Sequence, residues 1–193
     1  MNNQIETMIL RYFCKKYRKG RLVQIIIVNH KTKNIKIIKA KACHVASILE
    51  LLKQVNNVHH YGRPDLFEKD KTKYTQEELS SLLTRDDMLI LVAEEEGKIV
   101  GHCFCVIEKY ENDHNMVDRT TLYIDDICVD ENERKKGIGE LLYKKALDEA
   151  KRMGCYNVTL NVWNCNREAQ AFYEKMGMNV FKTGMEIIVN QQR

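Results

Sequence analysis

Arg134-Lys135-Lys136-Gly137-Ile138-Gly139 joins a stretch that reads as a β-strand to one that reads as an amphipathic helix, and the fold follows from how it is read. Upstream, residues 122–129 (LYIDDICV) are rich in side chains that suit a pleat. Downstream, Ile138, Leu141, Leu142, Ala146, Leu147, Ala150 and Met153 recur at helical spacing, with Glu140, Lys144, Lys145, Asp148 and Lys151 on the other face. The glycines therefore stand where a strand ends and a helix begins. The backbone N–H groups from Lys136 to Gly139 have no helical partner there, and with the positive end of the helix dipole they suit a phosphate or pyrophosphate. Glycine at 137 and 139 lets such a ligand approach the backbone with no Cβ in the way. The pattern is not the P-loop, since G-x-x-x-x-G-K-[ST] is absent. It is not the dinucleotide fingerprint either, which needs a small residue where Leu142 stands.

A second stretch agrees with the first. Residues 158–163 (VTLNVW) read as a strand, and after them Asn166 is a good N-cap and Gly177 a good C′ residue, which predicts a helix over 167–176. Ala169, Phe172 and Met176 form its expected buried stripe. Tyr173 follows Asn166 by close to two turns, so the two polar groups project from the same side. Alone, each would read as an ordinary structural residue.

Together, R-x-x-G-x-G opening a helix and N-x-x-A-x-x-F-Y-x-x-x-G (Asn166, Ala169, Phe172, Tyr173, Gly177) resemble the two signatures of the GNAT superfamily of N-acetyltransferases. The resemblance implies an α/β (α+β) GNAT fold: a twisted, mixed, mostly antiparallel sheet of six to seven strands, splayed in the middle and flanked by about four helices. It implies acetyl-CoA as acetyl donor and no metal. The pyrophosphate would lie on Arg134, Lys135, Lys136, Gly137, Ile138 and Gly139, and the pantetheine arm along the backbone of Ile127, Cys128 and Val129 like an added strand. Asn166 would hold a pantetheine amide and Tyr173 would protonate the departing sulfur. Small-molecule members, the diamine and polyamine acetyltransferases in particular, carry L-E-D-hydrophobic before the signature. Here the residues are Ile124-Asp125-Asp126-Ile127, with aspartate in place of the glutamate.

The chemistry such a site must perform sets further expectations. An alkylamine of pKa about 10 is neutral in only about one part in a thousand at pH 7, so freeing the nucleophile costs about 4 kcal/mol and needs a proton acceptor. Asp125 and Asp126 are candidates, although an acidic cleft also favours the cationic amine and suits substrate binding. His59 and His60 are rival bases and expected acceptor-side residues. The amide of Ile127 would stabilise charge on the thioester oxygen. Each residue also has an ordinary reading: solvation at a strand end for the aspartates, a helix C-terminus for the histidines.

Composition bounds the rest. The 193 residues, 44% of them hydrophobic, fit one globular domain, and one proline leaves no low-complexity linker. Through Lys41, eleven Lys and Arg against one acid leave +10, while the remainder carries −6. This divides the chain into a basic extension over 1–34 and an acetyltransferase domain over 35–193. Within the extension, Ile5, Met8, Ile9, Tyr12 and Phe13 form a stripe opposite Arg11, Lys15, Lys16 and Lys19, as in a basic amphipathic helix that is peripheral to the domain. The apolar run 22–28 is too short to span a bilayer and lacks a cleavage site, which predicts neither a membrane span nor secretion. Seven cysteines without a C-x-x-C pair predict free thiols in the cytoplasm. Cys103-x-Cys105 beside His102 is the nearest approach to a metal cluster and reads as strand core, its members expected to face opposite ways. From the start of the domain the expected order is a strand at 35–39, a helix carrying Val45, Ile48, Leu49, Leu52 and Val55, and a short helix capped by Thr75 and Glu78. A hairpin over 88–110, the two motif regions and a last strand or pair over 179–189 complete it.

The resulting expectation is acetyl-CoA-dependent acetylation of a small primary amine by direct attack in a ternary complex. Nucleic acid is not an expected partner, and a homodimer is allowed. The alternatives are a protein lysine or N-terminal acetyltransferase, and a CoA-binding regulator without turnover.

Overall fold

The computed structural model describes residues 34–189. The helical stripe expected over 5–13 and the apolar run 22–28 lie outside the described residues. In order the elements are β1 (Ile35–Lys39), α1 (Val45–Gly62), α2 (Gln76–Leu82), β2 (Met88–Glu95), β3 (Lys98–Tyr110), β4 (Arg119–Val129), α3 (Ile138–Arg152), β5 (Asn157–Leu160) and α4 (Arg167–Lys175). The sheet runs β1-β2-β3-β4-β5, antiparallel throughout except that β5 lies parallel to β4. A parallel neighbour requires a crossover connection, and α3 supplies it.

Period-two alternation explains the layers. Along β2 and β3, Ile90, Val92 and Phe104 join Ile48 and Leu52 of α1 and Leu79 of α2 in one cluster. The intervening Leu91, Ala93, Cys103 and Cys105 join Ile138, Leu142 and Ala146 of α3 on the other face. The strands are apolar on both faces because helices cover both. The thiols of Cys103 and Cys105 lie 3.6 Å apart, which corrects the expectation that they face opposite ways: residues two apart on a strand share a face, and His102 is the one that points away.

Local chemistry sets the boundaries. Thr75 and Glu78 form the expected reciprocal capping box. Helix α1 stops at Gly62, since Arg63 precedes the only proline and is biased away from helical geometry. Glu96 and Gly97, with φ of 50° and 83°, make the tight turn of the β2–β3 hairpin.

The sheet departs from expectation at its β5 edge. Five strands form among the described residues instead of six or seven, β5 ends at Leu160, and residues 179–189 form no strand. Val180, Phe181, Met185 and Ile187 are exposed, so their side chains lack the cross-strand neighbours on which β-preference depends.

Gly101 sits where β3, β4 and α3 converge. A Cβ there would lie 2.9 Å from the Cys128 carbonyl oxygen and 3.1 Å from Leu142 Cδ1. Gly101→Ala is therefore expected to destabilise the domain by about 1–3 kcal/mol through overpacking, read as a lower denaturation midpoint at unchanged m-value.

Candidate active site

The site begins where β4 loses a neighbour. Its ladder with β5 runs from Thr121↔Asn157 to Ile124↔Leu160 and stops, while its pairing with β3 continues to Val129↔Gly101. Residues 125–129 thus keep one free backbone edge among the described residues. At the same point β3 pairs Phe104 with Asp126 and Cys105 with Ile124, leaving Asp125 as an extra residue in a β-bulge. Bulges kink a strand and re-aim side chains, and they gather beside active sites. Of the three residues expected along the donor's arm, Cys128 turns its side chain into the core: the thiol points at the Leu51 carbonyl oxygen, 3.5 Å away. Burial, then the nearby Asp126 charge, pushes that thiol up to about 12. The Cys128 thiol is therefore not available to a ligand on that edge.

Beyond Val129, the side chain of Asp130 accepts a bond from Asn132 N and shapes a short turn, and Arg134 Nε donates to the Val129 carbonyl at 3.4 Å. Lys135 and Gly137 both have left-handed φ, 63° and 87°. Such kinks in successive peptides turn N–H groups inward into an anion-binding nest. No side chain caps α3 at Gly137, which leaves the first turn's donors to a ligand. Lys136 is paired with Glu133, so Arg134 and Lys135, both exposed, are the cations of this segment that no carboxylate pairs among the described residues. A Cβ on Gly139 would meet Phe172 only at 3.6 Å and Val129 at 3.8 Å. Packing alone does not require glycine there.

Helix α4 is capped as expected: Asn166 Oδ1 accepts from Ala169 N at 3.1 Å, and Gly177 follows with φ 89°. That bond occupies the amide oxygen of Asn166 and leaves its NH₂ for a ligand. The buried residue of this helix is Tyr173 (8% exposed), while Ala169, Phe172 and Met176 are only half-buried. Its ring lies 5.1 Å from that of Phe172 and 6.3 Å from that of Tyr143. Burial above all, then the charges of Cys103 and Asp126, raises the Tyr173 phenol well above its ordinary range. The hydroxyl keeps its proton across the working pH range.

On the other side of the bulge the two aspartates separate. Asp125 is bound by Lys73 Nζ at 2.6 Å and approached by Tyr74 OH at 3.5 Å. Burial opposes the charge on Lys73, and the Asp125 bond and charge outweigh it, so its pKa is raised. Asp126 instead lies 3.4 Å from His102 Nε2, and its charge acts on both His59 and Tyr173. His59 packs 5.1 Å from Phe67 and 6.5 Å from Trp163. Burial lowers its pKa below 6.5, with Asp126 opposing and Lys73 assisting, so it is mostly neutral at pH 7. His60 is engaged elsewhere, its Nδ1 at 2.7 Å from the Phe67 carbonyl. The guanidinium of Arg63 lies 5.8 Å from the Trp163 ring centre and bonds Asp65 and, from the C-terminal tail, Glu186. The loop leading into α4 packs flush on the end of α1: a Cβ on Gly62 would fall 2.5 Å from Cys165 Sγ.

This arrangement can be set beside known proteins. The family model described as the acetyltransferase (GNAT) family matches residues 54–178, well over half of the sequence. The chain belongs to the GNAT acetyltransferase family. The glucosamine 6-phosphate N-acetyltransferase of Arabidopsis thaliana is 37% identical over 97 residues, covering 49% of this chain and 60% of that protein. The L-ornithine N5-acetyltransferase NATA1 of the same plant is 42% identical over 60 residues, 31% of this chain and 26% of that protein. The chain thus spans three fifths or less of the length of these curated relatives. Among solved structures, a point mutant of the BH1408 protein from Bacillus halodurans superposes with a TM-score of 0.77 at 27% identity, over 80% of this chain and 99% of that one. The GNAT fold expected from the two motifs is borne out.

Several groups at this GNAT site carried no motif in the sequence. Lys73, Tyr74, Trp163, Glu186 and the bulge at Asp125 arrive through tertiary contacts, and only Trp163, which follows β5 on the way into the second signature, had a signal close by. Among the described residues no set of three or more His, Cys, Asp or Glu is placed to hold a metal, and no helix is long and apolar enough to cross a membrane. Two surface hollows that share Glu111 and Thr120 lie at the far end of β4 and hold none of the groups above. Gly137→Asp would put a carboxylate and a Cβ into the nest at a left-handed position. It is expected to lower acetyl-CoA affinity at least about tenfold while circular dichroism stays unchanged, and unaltered affinity in calorimetry would remove the nest from the site.

Proposed function

We propose that this GNAT protein moves the acetyl group of acetyl-CoA to the primary amine of a small, positively charged molecule by direct attack in a ternary complex. The observation that carries this reading is Asp126, a carboxylate whose side chain is only 12% exposed, standing where β4 parts from β5 and its backbone edge comes free.

The nest at 134–139, the free edge of 127–129 and the NH₂ of Asn166 are the groups that would hold the donor. When bound, acetyl-CoA supplies an acyl group activated as a thioester. Asp126 is the chosen acceptor of the ammonium proton, directly or through water, with His59 the rival base. The freed amine nitrogen bonds to the thioester carbon, the carbon–sulfur bond breaks, and the sulfur leaves with the electron pair. The amide of Ile127 offers a donor to the carbonyl oxygen as negative charge grows there. Tyr173 protonates the sulfur, the second proton lost by the acylated nitrogen restores the Tyr173 hydroxyl, and the proton held on Asp126 returns to solvent. Amide, free CoA thiol and one proton balance the ammonium and the thioester.

The acceptor class follows from charge. Asp65, Asp125, Asp126 and Glu186 stand against Arg63 and Lys73, and each of the two cations is already bonded to a carboxylate. A surplus of negative charge attracts an alkylammonium and repels a phosphate. That favours an acceptor like the ornithine of one relative over the phosphorylated sugar of the other. Free buried thiols support a reducing, cytoplasmic setting.

Thiol release from acetyl-CoA across diamines, ornithine, glucosamine 6-phosphate and short peptides tests this. The cationic small amines are expected to exceed glucosamine 6-phosphate at least about tenfold in kcat/KM. A preference for the phosphorylated sugar would overturn the charge argument, and binding of acetyl-CoA without turnover of any amine would favour a regulator. Tyr173→Phe tests the leaving-group side. A thiolate leaves fairly well unaided, so a rate loss of about 10² is expected, near the lower end for general acid catalysis, with acetyl-CoA affinity kept. Because the phenol is raised well above 10, the substitution should leave the alkaline limb of the rate profile in place. Wild-type turnover, or equal losses in rate and affinity, would return Tyr173 to a packing or binding role.

A further inference from the structure

His102 is a buried polar group that no step above uses. It is fully buried in β3, and neither ring nitrogen makes a hydrogen bond of good geometry. Its surroundings are largely apolar: it pairs with Val92 on β2 and Cys128 on β4, and Phe104 packs edge-on with ring centres 5.1 Å apart. A phenylalanine or leucine would suit this position without the cost of about 1–3 kcal/mol that an orphaned polar group carries. Buried groups kept at such a cost call for an explanation in terms of function.

The neighbour of His102 supplies one. Nε2 lies 3.4 Å from Asp126 Oδ2, within ion-pair distance but short of hydrogen-bond geometry. Register brings this about: His102 is opposite Cys128 and Phe104 is opposite Asp126, so His102 and Asp126 are diagonal neighbours on one face of the sheet. Asp126 has a side chain only 12% exposed, at the point where the strands part. Catalytic hydrogen bonds are often long before substrate binds and tighten in the complex.

We propose that His102 is a positioning residue for the acetyl transfer, donating from Nε2 to Asp126 Oδ2 and so aiming the carboxylate's other oxygen at the acceptor amine. The inference rests on the acetyltransferase reading above. The imidazole holds the carboxylate from behind, in a layer that water does not reach. The other titratable groups around this pair are Asp125 and Cys128 on β4, His59 on α1, Lys73 and Tyr74 ahead of α2, Tyr173 on α4 and Cys103 on the opposite face of β3. The strand on the other side, β2, contributes the apolar Val92. A donor to a carboxylate favours its charged form. Removing it should therefore move the acid limb of kcat/KM to higher pH.

His102→Phe in the full chain is the first test. It is expected to keep the fold and acetyl-CoA affinity, to melt at or above the wild-type temperature, and to lose about 10- to 100-fold in kcat, the usual scale for a group supporting a site residue. The acid limb should move up. His102→Gln, whose amide can donate from a similar position, should recover part of the rate. In an Asp126→Asn background, His102→Phe should add little, as coupled residues behave. Wild-type kcat with an unmoved acid limb in folded His102→Phe would overturn the proposal, as would equal losses in the Phe and Gln variants. If His102→Phe does not fold, nitrogen NMR of the wild-type imidazole decides: a proton on Nε2 whose signal shifts in Asp126→Asn supports the pairing, and a proton on Nδ1 alone refutes it. That measurement needs no turnover, so failure of the acetyltransferase reading, seen as no amine acetylated by the wild type, stays distinguishable.

Discussion

The parallel ladder between β4 and β5 lasts for four residue pairs and then ends, and the functional arrangement depends on that ending. Backbone donors and acceptors cannot remain unpaired in a core. They can do so at the edge of a cleft, where a ligand or water completes them. By stopping β5 at Leu160 while β4 runs on to Val129, the fold keeps a length of strand available without breaking the sheet. The β3 side of β4 stays fully laddered, apart from the bulge, and holds that length rigid. The glycine-rich start of α3 follows directly, so one continuous run of backbone passes from open strand edge to anion nest.

Electrostatics then divide the cleft. The nest presents helix-terminal N–H groups with Arg134 and Lys135, whereas the side proposed for the acceptor gathers carboxylates around two cations that are already bonded. Between them stands Asp126, close enough to influence groups on α1, on α4 and within β4 itself. The neighbouring Asp125 differs because the bulge takes it out of the ladder and Lys73 binds it. Two adjacent residues of one type thus have different environments, and only the fold separates them.

What the sequence disclosed is what depends on short-range order. Helical period, caps, the tight hairpin turn and the two signatures are local, and α3, α4 and the β2–β3 hairpin stand within a residue or two of where they were expected. The glycine turn ahead of α3 and the Asn166 cap were legible for the same reason. The partner of Asp125 was not, because Lys73 lies far from it along the chain. The bulge was not, because an extra residue in a strand leaves no mark on composition. His102 read as strand core beside Cys103 and Cys105, and its closeness to a carboxylate was not legible because cross-strand register decides it. The apolar residues of 179–189 misled in the opposite direction: their composition suits a strand, but they stand exposed, without the cross-strand neighbours on which β-preference depends.

The contact between Gly62 and Cys165 gives the site a mechanical property. With the sulfur occupying the space a side chain at 62 would need, the end of the helix bearing His59 rests directly on the loop that delivers Asn166 to the next helix. No soft layer of side chains separates the end of α1 from that loop at this contact. Displacing either is therefore transmitted to the other, and under the proposed function the width of the acceptor chamber and the seating of the donor would form a single adjustable quantity. Acceptors of different girth would then be sorted as much by how they disturb the hold on CoA as by their own fit.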